Sequence, residues 1–122
     1  MSEAYREKRD FTRIELDLPV TIHQGGSVWQ QRLLSISLGG AATDQPDTWD
    51  AQYNEPFTLV IQLDESAELE LHAYLQHVEA ERLGFSVEHV DRENIDALVE
   101  LLQQHVSDPD TINAEVEQLK AN

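Results

Sequence analysis

Four stretches of this chain alternate apolar and polar residues with period two, and that pattern decides the fold class. Ile14, Leu16, Leu18, Val20 and Ile22 interleave with Glu15, Asp17 and Thr21, the pattern of a strand with one buried face. Pro19 falls on the polar phase and cannot donate to a ladder, which marks an edge position or a bulge. Gln24-Gly25-Gly26-Ser27 signals a hairpin turn. Residues 28–35 read as the returning strand, interrupted by Ser37-Leu38-Gly39-Gly40. A short third strand is expected over 41–43, then a long loop over 44–54 pinned by Trp49 and Tyr53. Phe57, Leu59, Ile61 and Leu63 alternate again, as do Ala67, Leu69, Leu71, Ala73 and Leu75. Leu83, Phe85 and Val87 make a last strand, in which Gly84 permits close backbone approach.

Six short strands without intervening helices predict an antiparallel barrel or sandwich, and we expect the six-stranded barrel. The period then changes. Ile95, Leu98, Val99, Leu102 and Val106 form a helical stripe that Asp91 can cap. Asp108-Pro109 starts a second helix, with Asp as N-cap and Pro at the first helical position; its narrower stripe is Ile112, Val116 and Leu119. The chain thus reads as one domain over 1–122, mainly β with C-terminal helices. Residues 1–13 are a flexible Arg-rich lead-in, 14–90 the barrel and 91–120 the helices.

Charge narrows the function. Eight Lys and Arg residues face twenty-four Asp and Glu, a formal charge of −16. That balance argues against general nucleic-acid binding, whose affinity comes mainly from neutralised phosphates. Yet four of the eight cations, Arg6, Lys8, Arg9 and Arg13, fall in one short N-terminal segment. Such a cluster by itself reads as a solvated tail paired with Glu3, Glu7 and Asp10; it also suits a local grip on an anion. No secretory leader and no membrane-length apolar run is visible, and with no cysteine there is no disulfide framework or thiolate metal site. The expectation is a cytoplasmic protein.

Two motifs go further. Arg9-Asp10-Phe11-Thr12-Arg13 places two arginines, with three residues between them, directly before the first strand. Ser35-Ile36-Ser37-Leu38-Gly39-Gly40 closes the second strand with serine, two spacers and glycine. Together they resemble the PilZ domain, the bacterial receptor family for cyclic di-GMP, and in particular its small stand-alone members in gammaproteobacteria. The first motif matches the family pattern in full. The second matches at Ser37 and Gly40, whereas Ser35 stands where the family usually has Asp or Asn.

The resemblance implies a non-enzymatic receptor that binds cyclic di-GMP, as one molecule or a stacked pair, and orders its N-terminal segment for a downstream protein. Arg9 and Arg13 would grip guanine edges or phosphates through their planar forks, with Arg6 and Lys8 adding contacts. Ser37 would supply a hydroxyl, Gly40 would let backbone amides approach a phosphate, and Ser35 would make a weaker contact than a carboxylate. Alignment on Leu83-Gly84-Phe85 puts His77 where relatives stack a side chain on a base, with Tyr74 second. The alternative is a PilZ-like protein-interaction module that binds no nucleotide. An oligonucleotide-binding barrel is disfavoured by charge. His72, His77 and His89 suggest a metal site only weakly, because residues five apart face opposite sides of a regular strand. No catalytic motif, cofactor or metal is expected, and the protein is expected to be a monomer.

Overall fold

The computed structural model describes residues 11–49, 51, 55–79, 81–88 and 92–121, with 92–94 and 119–121 as backbone only. Tyr53, His89 and the proposed cap Asp91 lie outside the described residues, as does the lead-in up to residue 10. Six strands, β1 (Ile14–Gln24), β2 (Ser27–Ile36), β3 (Gly40–Asp44), β4 (Phe57–Gln62), β5 (Glu68–Glu79) and β6 (Arg82–Glu88), precede helices α1 (Arg92–Gln104) and α2 (Pro109–Ala121). Every strand pair is antiparallel, and the order β1-β2-β3-β6-β5-β4 closes on itself as a barrel. Closure leaves none of the described strands with a free edge for another chain to extend.

The alternating residues point inward as their period requires. Val20, Ile22, Leu33, Ile36, Leu59, Ile61, Leu69, Leu71 and Leu83 are all buried. A run of aromatic contacts crosses the interior: Trp29 to Trp49 at 4.7 Å between ring centroids, Trp49 to Phe57 at 5.8 Å, and Phe57 to Phe85 at 5.4 Å. Trp49 therefore ties the β3–β4 connection to the barrel, the anchoring expected of it. The helices complete the core with Leu98, Leu101, Leu102 and Ile112. Asp108 caps α2 as its sequence predicts: its Oδ1 accepts from the Asp110 amide at 3.1 Å.

Pro19 is accommodated by the closed topology in one way. A barrel has no edge to house it, so the edge alternative is ruled out; instead a register shift falls between Glu15 and Leu18, immediately before the proline. The β1–β4 ladder begins only at Val20. The missing Pro19 N–H thus sits just outside that ladder. At the β1–β2 turn Gly25 has φ 58°, a left-handed conformation that glycine adopts at little cost.

Candidate functional site

Strand register decides which side chains share the outer face. Ile36, Ala41 and Phe85 lie side by side across β2, β3 and β6 and are buried in the interior. The residues of opposite phase form an outer row, in which Ser35 pairs with Ala42, Ala42 with Gly84, and Gly84 with His77. Gly40, Ser86 and Tyr74 form a second row beside it. None of the five floor residues, Ser35, Gly40, Ala42, Gly84 and Ser86, is larger than a serine. The result is a shallow shelf, with Arg13 at one end and Tyr74 and His77 at the other.

Arg13 is set on this shelf by two contacts. Its Nη1 donates to Ser35 Oγ at 2.9 Å. Its Nη2 lies where a side chain at Gly40 would begin: a Cβ built there would stand 3.2 Å from Nη2 and 2.8 Å from the Phe85 carbonyl oxygen. Only glycine leaves room for both. Arg13 as a residue is exposed, yet its guanidinium is partly withdrawn from water. That burial lowers its pKa below the usual arginine value, and the nearby charge of Arg82 lowers it further. The guanidinium stays protonated.

The other end depends on a bulge. The β5–β6 register shifts between Leu75 and His77, so Tyr74 before the shift and His77 after it both face outward. The His77 ring lies against Gly84, where an added Cβ would meet His77 Cδ2 at 3.3 Å. The same bulge is the exception to the facing expected of a regular strand, and it brings His72 and His77 to one face. His72 Nε2 lies 4.0 Å from Glu70 Oε2. Among the described residues no three His, Cys, Asp or Glu side chains gather as a metal site.

Ser37 and Gly40 meet each other in the loop between β2 and β3. Ser37 is 1% exposed, and its Oγ accepts from the Gly39 and Gly40 amides at 3.2 Å each. Together with the Ser37 amide, which donates to the Gly40 carbonyl at 2.8 Å, it folds the loop between β2 and β3. Its hydroxyl is therefore turned into that loop. Gly40 spends its amide on Ser37, so it serves the site through the Cβ it lacks. Arg6, Lys8 and Arg9 lie outside the described residues. Arg32 belongs elsewhere: its Nε donates to Asp17 at 2.6 Å, and that bond, followed by the charges of Asp17 and Asp44, raises its pKa.

Sequence reasoning missed Arg82 and Glu115. Arg82 was legible in principle, since 82, 84 and 86 share the outer phase of β6. Glu115 was not; its Oε1 accepts from the Thr12 amide at 2.9 Å across 103 residues of sequence.

Residues 7–104 match the family model of the PilZ domain. The chain belongs to the PilZ domain family. Solved PilZ structures share its fold. The PilZ domain with c-di-GMP of YcgR from Escherichia coli superposes with a TM-score of 0.67 at 16% identity, over 78% of this chain and 88% of that one. The PilZ domain of CeSA from a cellulose-synthesizing bacterium gives 0.60 at 22%, over 74% and 93%. The inhibitor of motility MotI/DgrA of Bacillus subtilis gives 0.63 at 22%, over 75% of this chain; the match spans only 47% of MotI. Among the described residues no helix of this PilZ protein is long and apolar enough to cross a membrane.

Proposed function

We propose that this PilZ protein is a non-catalytic receptor for cyclic di-GMP, bound on the shelf between Arg13 and His77. The observation that carries the reading is the meeting of the two motifs in space: Arg13 of the first rests on Ser35 and over Gly40 of the second. A planar fork beside a flat floor of small residues suits a guanine edge or a phosphate. Arg82 adds charge at the same end, and His77 offers a ring for stacking. The fold is shared with a YcgR domain that holds c-di-GMP. Arg9, Arg6 and Lys8 would close over the ligand as the lead-in orders, and the altered surface would be read by a partner protein. Two stacked ligands carry four phosphate charges, which matches the four cations of 6–13.

Titration of the wild-type protein with cyclic di-GMP, using cyclic di-AMP as control, tests this. Saturable heat with the guanine ligand alone is expected, with a stoichiometry of two for a stacked pair; no heat at tens of micromolar protein overturns the reading. His77→Ala should weaken binding about tenfold through lost stacking without lowering the thermal midpoint, since the residue is exposed. An unchanged affinity would remove His77 from the site.

A second reading, a protein-interaction module without nucleotide, is favoured by one observation. Ser35 is 4% exposed and already engaged by Arg13, so it offers a ligand less than a carboxylate would. The two readings meet in one variant. Ser35→Asp should tighten cyclic di-GMP binding about tenfold, as a charge-assisted bond replaces a neutral one. A variant that binds no tighter shows that the serine does not limit affinity.

A further inference from the structure

The second helix lies beyond the 7–104 stretch that matches the family, yet it holds the arginine motif directly. Glu115 on α2 is 8% exposed. One of its carboxylate oxygens accepts from the Thr12 amide at 2.9 Å and the other from the Thr12 hydroxyl. An ionised carboxylate only accepts, and here both oxygens serve one residue. Burying such a group costs free energy unless it is hydrogen-bonded, so the pair is a specific arrangement and not a surface contact. Thr12 is the link between two fixed points: Phe11 is buried in the core, and Arg13 rests on Ser35.

We propose that Glu115 is a positioning residue for the ligand site, clamping Thr12 so that Arg13 enters on the shelf side. The clamp makes α2 part of the binding apparatus and gives the C-terminal helix a direct link to the ligand. It rests on the cyclic di-GMP reading for the identity of that ligand.

The sign of the mutational effect separates positioning from simple charge. Removing a carboxylate near an anionic ligand should, by electrostatics alone, tighten binding. Positioning predicts the opposite. Glu115→Ala should weaken cyclic di-GMP binding about tenfold, because the motif must now be ordered by the ligand. Glu115→Gln keeps the geometry, with Oε1 accepting from the Thr12 amide and Nε2 donating to its hydroxyl, and should stay within about threefold of wild type. Thr12→Val, which keeps the amide bond, should fall between them and serves if the alanine variant does not fold. Tighter or unchanged binding in Glu115→Ala overturns the proposal. Amide exchange at Thr12 reads the clamp without ligand: it should be protected in the wild type and faster in Glu115→Ala, and equal rates would also overturn it. A wild type with a protected Thr12 amide but no affinity for cyclic di-GMP would instead sink the receptor reading and leave the clamp standing.

Discussion

Arg13→Ala should lower the affinity for cyclic di-GMP by about a hundredfold or more while leaving the barrel folded. Charge-assisted hydrogen bonds contribute about 1.5–3 kcal/mol each, and a guanidinium fork makes them in pairs. In the free protein that fork spends one N–H on Ser35, a small part of the five it carries. The substitution also leaves Ser35 Oγ without this donor, but the residue borders solvent once the long side chain is gone, so the stability cost is small. Arg13→Lys should recover little, because a point charge cannot reach Ser35 and a ligand in one plane. Titration calorimetry beside thermal unfolding separates the two effects. Near-wild-type affinity in Arg13→Ala would mean that the ligand lies elsewhere.

The largest effect on stability should come from Phe57→Ala, at about 3–5 kcal/mol. Phe57 is 1% exposed and sits between Trp49 and Phe85 in the aromatic run. Its ladder partner on β5 is Ala73, itself fully buried, so no large neighbour can swing in from there to fill the space. Loss of the ring also removes the surface on which Trp49 stacks at an interplanar angle of 16°. The connection between β3 and β4 should loosen with it, and tryptophan fluorescence should shift before the barrel unfolds. Urea denaturation is the measurement; a loss below about 1 kcal/mol would show that the barrel end repacks, contrary to a close-packed interior.

Strands and family were legible in the sequence because both rest on local pattern. Period two located four of the six strands and the turn signals around them the other two, all to within a few residues, and Asp108-Pro109 located the start of α2. The 9–13 and 35–40 motifs carried the family. What pattern could not carry was register. The Leu75–His77 shift reverses the facing of the second half of β5, which puts Tyr74 and His77 on one surface and places His72 on the same side. Roles within a motif were also hidden. Spacing placed Ser37 and Gly40 together, but only the burial of Ser37 and the contacts around Gly40 show that they shape the loop and make room for Arg13. Glu115 was beyond reach for a different reason, since its partner is remote in sequence and nothing in the α2 stripe marks it.

In the proposed receptor the two motifs make one binding surface on the outer face of β2, β3, β6 and β5. A nitrogen-15 NMR titration with cyclic di-GMP tests it directly. Saturable shifts of the Arg13, Ala42, Gly84 and His77 amides are expected, with those of the opposite β1–β4 ladder at Val20 to His23 unmoved. Shifts confined to that ladder or to the helices, or none at saturating ligand, would contradict it.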